Sequence, residues 1–355
     1  MAVLMGYLNN NDLKDRRVSD IPATETDEAI RLTLAEYNRV TNLMLDFFCG
    51  RTTSVQERFK TPTNARLQPV DENGRALPVK GISQYTVGYP LQMGAHAWGA
   101  NYVALQRMTA NELGQELITA QIADNNWIAD HILAAMFYVN TSSPAPWTWP
   151  DEIHGDVSVY GLADGDTVVY QRRNGVAMAT DDHVLGFTSI TTANLTTIAT
   201  ELKEHPENTG QVVTMVPTAS RATIEALTEF IPVSDPNLQY GTVTTTLRNL
   251  GATVPGEIFG YVESAGTFVS EWPRVPDNYL IAKMTGGSPP LKMRQDPNPN
   301  LQGYNNVADR DDHPWYEKQL LRMAGFGAFN RVGAVVARTN NATYAIPTGY
   351  ASPHA

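Results

Sequence analysis

One tripeptide in this 355-residue chain combines residues able to bind metal or move protons, and it occurs twice: Asp181-Asp182-His183 and Asp311-Asp312-His313. Carboxylates with imidazole make metal sites, and two such clusters brought together would offer six donors. Consecutive residues of a strand, however, point to opposite faces, so neither tripeptide by itself aims three side chains at one ion. Asp-Asp-His also suits a turn or a helix start. The spacing therefore assigns neither tripeptide to a metal, and His96, His131, His154 and His205 show no ligand spacing and read as packing or surface residues. The single cysteine, Cys49, excludes internal disulfides and cysteine-built metal sites, and reads as a small buried hydrophobe. Phosphate-loop, nucleophile-elbow and zinc-protease motifs are absent. Gly325-Phe326-Gly327 continues into Ala-Phe-Asn, so it reads as a close turn among aromatics and not as a dinucleotide loop.

Composition bounds the elements that position these residues. A chain of this length exceeds one hydrophobic core, so two packed units are expected. Hydrophobic residues make up 42% and charged residues 18%, as in folded soluble proteins. There is no run of 18 apolar residues for a membrane span, and Met1–Asp20 lacks the apolar core of a signal peptide. The net charge of −11 argues against a protein that grips DNA by its phosphates.

After an arm of about 26 residues, Ile30, Leu34, Tyr37, Val40, Met44 and Phe47 recur at helical spacing and predict a helix over 27–48. From 51 to 98 the chain is polar and extended, with an Asn73-Gly74 hairpin turn. In this stretch six cations (Arg51, Arg58, Lys60, Arg66, Arg75, Lys80) oppose three acids (Glu57, Asp71, Glu72), on a protein that is acidic overall. Such a hairpin is marginal alone, so it is expected to lie on another surface. Thr109-Ala110-Asn111-Glu112 is a capping box opening a helix to about Val139, roughly 45 Å long. A small β-meander is expected over 151–187, with strands at Val157–Val159 and Val168–Tyr170 and turns at Asp164-Gly165 and Asn174-Gly175. An α/β block with a mixed sheet follows. Its helices lie near 195–202 and over 218–230, the second capped by Thr218, and its strands over 211–216, 258–262, 267–272 and 279–284. A Gly-, Pro- and Asn-rich loop over 285–306, a helical patch over 315–324 and a strand pair over 331–338 and 342–346 complete the reading.

This order of parts resembles the major capsid proteins of tailed bacteriophages, the Hong Kong 97-type fold, over about residues 51–338. More specific likeness lies in Glu204-His205-Pro206-Glu207-Asn208, in Pro276-Asp277-Asn278-Tyr279-Leu280-Ile281-Ala282, in Gln302-Gly303-Tyr304, and in the stretch from Asp312-His313-Pro314-Trp315 to Asn330-Arg331-Val332-Gly333-Ala334-Val335. These look like a branch found in phages of actinobacteria, and they serve as family markers without a chemical role. The resemblance implies an α+β fold with an N-terminal arm and helix (1–50), an extended E-loop hairpin (51–100), a peripheral domain with spine helix and β-meander insertion (101–190), an axial α/β domain (191–295) and a return to the peripheral domain (296–355). It implies a non-enzymatic shell subunit that forms hexamers and pentamers around double-stranded DNA. Its partners would be a portal, a separate scaffolding protein and, in some members, a decoration protein. Assembly would take place in the host cytoplasm and the product would be the virion, with no cofactor and no membrane. The implied contact residues on the E-loop are Arg58, Phe59, Lys60, Arg66, Leu67, Arg75 and Lys80. Some members crosslink an E-loop lysine to a neighbour's asparagine; Lys60 and Lys80 fall in that segment, but no partner asparagine is identified. Two rival readings remain: an encapsulin-like shell enclosing an enzyme, which the arm, the insertion and the markers argue against, and a metal-dependent enzyme using the Asp-Asp-His clusters.

Overall fold

The computed structural model describes residues 16–62, 69–70, 72–74, 82–139, 147–174, 178–233, 254–312 and 315–351. In chain order its elements are α1 (Ala23–Phe48), β1 (Cys49–Thr52), β2 (Gln56–Pro62), β3 (Ile82–Gly88), β4 (Gln92–Asn101), α2 (Tyr102–Arg107), α3 (Ala110–Phe137), β5 (Trp147–Asp151), β6 (Gly155–Val159), β7 (Tyr170–Gln171), β8 (Met178–Ala179) and β9 (Val184–Gly186). There follow α4 (Thr192–Glu204), β10 (Asn208–Val216), α5 (Thr218–Glu225), β11 (Phe230–Pro232), β12 (Glu257–Val262), β13 (Thr267–Glu271), β14 (Tyr279–Gly287), β15 (Leu291–Arg294), β16 (Tyr304–Asp312), β17 (Trp315–Ala328) and β18 (Ala334–Arg338). The chain divides into two compact units, one of residues 1–42, 92–128 and 295–324, the other of 43–91, 129–294 and 325–355. None of the described helices is long and apolar enough to cross a membrane.

In the first unit, Ile30 and Leu34 of α1 bury against Leu117 and Ala120 of α3, with Tyr304 and Leu320 closing the cluster. The expected capping box is formed: the Thr109 amide donates to Glu112 Oε2 (2.7 Å) and the Glu112 amide to Thr109 Oγ1 (3.2 Å). Val40, Ile118 and Ile122 were expected on the apolar faces, but each is about half exposed. The largest departure from expectation is Trp315–Ala324. It is not helical: it pairs with β4 on one side and β16 on the other. Its inward positions include Lys318 and Arg322, so the two-residue apolar alternation that marks a strand is broken by buried cations. Lys318 is satisfied by Asp27 (2.7 Å) and Asp309 (2.9 Å), and Arg322 by a fork onto Asp124 (2.5 and 2.7 Å). Asp27 and Asp124 come from distant chain, whereas Asp309 sits opposite Lys318 on β16; Asp124 also accepts from the Tyr37 hydroxyl (2.8 Å).

The second unit contains a seven-stranded mixed sheet in the order β11-β12-β13-β10-β14-β18-β9. β10 runs parallel to β13, and β9 to β18; the other pairs are antiparallel. Leu195, Ile198, Ala199 and Leu202 of α4 pack on Val212, Val216, Leu280, Ala282, Val335 and Ala337 of this sheet. That is the α/β block read from the sequence, with four corrections. The second helix ends at Glu225 and gives way to β11. Thr218 is the first helical residue and does not cap it. The 285–306 stretch holds the end of β14, all of β15 and the start of β16. Residues 342–346 form no strand. In the meander, Val157–Val159 lie in β6 as expected, whereas the second strand is only Tyr170–Gln171.

Gly325 and Gly327 lie in β17 and form no turn. A Cβ at Gly325 would come within 2.3 Å of the Pro90 carbonyl oxygen, and one at Gly327 within 2.6 Å of that of Gly88. These glycines let two backbone segments pass in close contact.

Candidate inter-subunit hairpin and its buried supports

The basic hairpin forms between β2 and β3, with Gln56 opposite Gly88 and Pro62 opposite Ile82. It is shorter than expected, because the chain from Gln92 onward belongs to β4. Gly74 has a φ of 74°, as the turn at Asn73-Gly74 requires. Arg66, Leu67, Arg75 and Lys80 lie outside the described residues. Of the remaining contact candidates, Arg58 and Lys60 are exposed and make no ion pair with described residues; Arg58 donates to the Gln84 side-chain oxygen. Arg51, by contrast, is neutralised by Asp46 at 3.0 Å. Phe59 points the other way. It stacks on Tyr85 (centroids 5.5 Å apart) and lies 5.6 Å from Phe329, while the Tyr85 hydroxyl donates to the Phe329 carbonyl (2.7 Å). Lys292 reaches Glu57 at 2.5 Å and also covers the Phe329 ring. Among the described residues, the root of the hairpin is therefore held by aromatic packing and one ion pair, and Arg58 and Lys60 make none.

Two buried arginines and one buried asparagine of the same unit support this region, and the sequence reading assigned none of them a role. Arg294 donates to the Tyr89 carbonyl (3.1 Å) and to Asp151 (2.7 Å). Burial raises the Asp151 carboxyl, but the amides of Leu91, Ile153 and His154 outweigh it and hold that carboxyl at about 2. Arg331, fully buried, donates to the carbonyls of Gly161 (2.8 Å) and Leu162 (3.0 Å) and to the Tyr170 hydroxyl (3.1 Å), and pairs with Asp166 (2.5 Å) and Asp164 (3.4 Å). Asn208 donates to the carbonyls of Leu202 (3.0 Å) and Val332 (2.8 Å), tying the last turn of α4 to the chain just after Arg331. The marker residues Asn208 and Arg331 thus have a definite structural task. The only sequence signal for it was the arginine itself within the mostly apolar 324–336 stretch; Asn208 lies in a polar turn and gave none.

The two Asp-Asp-His tripeptides belong to different units. Asp311 and Asp312 lie in β16, and His313 is outside the described residues. Asp181 and His183 are buried, and Asp182 accepts from the Val184 amide (2.9 Å). Burial, and then the neighbouring His205, push the His183 imidazole down to about 3. His205, read as a packing or surface residue, is buried and reaches His183.

Lys283 is another buried cation, 4% exposed, with its ammonium 4.4 Å over the Phe47 ring. Burial lowers it to about 8 from its ordinary 10.5. Between those values the unfolded chain binds this proton and the folded chain does not, so this group adds stability as pH rises from 8 to 10.5. At pH 7 the same shift is a cost on the order of 3 kcal/mol. Lys283→Met is therefore expected to stabilise the subunit at pH 7 and to bring little gain above pH 10. Chemical denaturation of both proteins at the two pH values checks this; equal or lower stability of the variant at pH 7 would contradict it.

No protein-family model matches the chain, and no curated protein sequence does. Among solved structures, a chain from Mycobacterium phage Patience matches at a TM-score of 0.62 with 18% identity, over 97% of this chain and 96% of that one. The capsid structure of the cyanophage P-SCSP1u matches at 0.48 with 10% identity, over 83% and 87% of the two chains. A holo-encapsulin complex from Synechococcus elongatus matches at 0.42 with 9% identity, over 86% and 89%. The likeness to the Patience chain extends over nearly the full length of both proteins, and the fold is the α+β Hong Kong 97 type expected from the sequence.

Proposed function

We propose that this chain, which has the Hong Kong 97-type fold, is the major capsid protein of a tailed bacteriophage. Copies of it form the hexamers and pentamers of an icosahedral shell enclosing double-stranded DNA. The observation that carries this reading is the end-to-end likeness to a chain of Mycobacterium phage Patience. Two physical features agree with it. The net charge of −11 leaves packaged DNA unbound by the wall. The hairpin presents Arg58 and Lys60 without counterions among the described residues, as a segment does whose partner is another surface. In this reading the hairpin is the E-loop, α3 is the spine of the peripheral domain, and the sheet around β10 forms the axial domain. A portal and a separate scaffolding protein are the partners, and assembly takes place in the host cytoplasm. The subunit does no chemistry.

Electron microscopy of the protein co-expressed with its scaffold tests this. Closed icosahedral shells that package DNA are expected. A compact monomer at high concentration with scaffold supplied would overturn the assembly reading. Shells filled with a protein cargo would replace it with a nanocompartment.

A further inference from the structure

Two buried imidazoles of the second unit meet nitrogen to nitrogen. His183 Nε2 lies 3.0 Å from His205 Nε2, and neither side chain is more than 1% exposed. The other nitrogen of each ring faces a backbone carbonyl, His183 Nδ1 that of Ala334 at 2.9 Å and His205 Nδ1 that of Gln171 at 3.1 Å. A carbonyl only accepts, so each Nδ1 carries its proton, and each neutral ring then turns a lone pair toward the other. Two lone pairs at that distance repel. A positive species between them, a proton or a metal ion, removes the conflict.

Three observations favour a metal. First, Asp181 supplies a third donor. Its side chain is fully buried; its Oδ1 is taken by Arg172, but its Oδ2 accepts no hydrogen bond from the described residues and stands 3.8 Å from His205 Nε2. Leaving a buried carboxylate oxygen without a donor is costly unless a cation satisfies it. Asp181 and His183 are two residues apart and share a face of the extended chain, while Asp182 between them turns away to Val184. Second, the geometry suits an ion. A tetrahedral zinc-class ion about 2.0–2.1 Å from each nitrogen holds them about 3.3–3.4 Å apart, within a few tenths of an ångström of the separation here. Histidines that bind metal also commonly donate the remaining N–H to a carbonyl, as both do. Third, the charges balance. Oxygens of Asp181, Glu201 and Glu204 lie within 4.8 Å of one another, and Arg172 is the cation paired with the first and last. A divalent ion supplies the two positive charges that three carboxylates and one guanidinium still need.

We propose that Asp181 Oδ2, His183 Nε2 and His205 Nε2 bind a divalent transition-metal ion of the zinc class. Two imidazoles select such an ion over calcium or magnesium, which take oxygen ligands. The site is buried, so the ion is structural: it joins the segment between β8 and β9 to the C-terminal end of α4. It does not depend on whether the chain assembles into a shell.

Elemental analysis of the purified full-length chain is expected to find about one zinc-class ion per subunit. Removing it with a strong chelator should lower the melting temperature by roughly 5 °C or more, and zinc should restore it. Cobalt loaded in its place should show the visible absorption of a tetrahedral site. His205→Gln should lose the metal and the chelator response together, whereas His205→Cys, which offers another zinc ligand, should keep both. The wild-type chelation and restoration stand alone if His205→Gln fails to fold. Metal-free protein whose melting temperature ignores both chelator and zinc would overturn the proposal. Nitrogen NMR of the two rings would then find three ring N–H groups, identifying a shared proton as the bridge.

Discussion

Arg331→Met is expected to leave little soluble, folded subunit. The guanidinium is the common partner of two backbone carbonyls, the Tyr170 hydroxyl and the carboxylates of Asp164 and Asp166, all brought to it from the 161–170 stretch. Methionine fills much of the volume but strands those acceptors. Removing one partner of a buried ion pair costs about 3–5 kcal/mol, against a total stability of about 5–15 kcal/mol for a typical domain. Arg331→Lys is expected to rescue little, since one ammonium cannot reach the separate acceptors that the planar fork addresses. Adding Asp166→Asn to Arg331→Met should recover part of the loss, because it deletes one of the stranded charges. Thermal melts by circular dichroism decide the matter: an Arg331→Met subunit melting within about 2 °C of wild type would mean that the cage contributes nothing.

The second large effect is expected on assembly and not on folding. Arg58 is exposed and, among the described residues, paired only with a neutral glutamine, so Arg58→Glu should leave the circular dichroism spectrum of the subunit unchanged. Arg66, on the same arm of the hairpin in the sequence, is the second choice. If, as proposed, Arg58 and Arg66 each meet a carboxylate of a neighbouring subunit, reversing both charges turns those contacts into repulsion. Single exposed pairs contribute about 0–1 kcal/mol, but charge-assisted, partly buried ones contribute roughly 1.5–3 kcal/mol. The double reversal is therefore expected to lower shell yield by about tenfold or more. Wild-type shells should also lose thermal stability as salt rises. Normal yield and melting temperature in the double variant would show that the hairpin does not act through charge. Its grip would then rest on backbone pairing or on apolar residues such as Phe59 and Leu67.

Local pattern was enough for much of the architecture. The helix of α1 follows from Ile30 and Leu34 one turn apart, that of α3 from a capping box whose two bonds involve residues three apart, and the hairpin turn from Asn73-Gly74. The β10 and β14 strands follow from short apolar runs. Each of these signals lies within a few residues and needs no knowledge of the rest of the chain. Together they specified an α+β protein with a long spine helix and an α/β block.

What the tertiary structure decided involves charge or close approach between distant segments. Trp315–Ala324 is built of good helix formers, and its strand conformation rests on β4 and β16 flanking it and on Asp27, Asp309 and Asp124 meeting Lys318 and Arg322. Before those carboxylates are in place, an inward-facing lysine reads as an outward one. Gly325 looks like a turn until Pro90 is known to pass against it. The Asp181-Asp182-His183 tripeptide shows no ligand set by its own spacing, because His205 lies twenty-two residues further on, beyond all of α4. A buried polar group is stable only beside its partner, and sequence separation says nothing about which partner folding will bring.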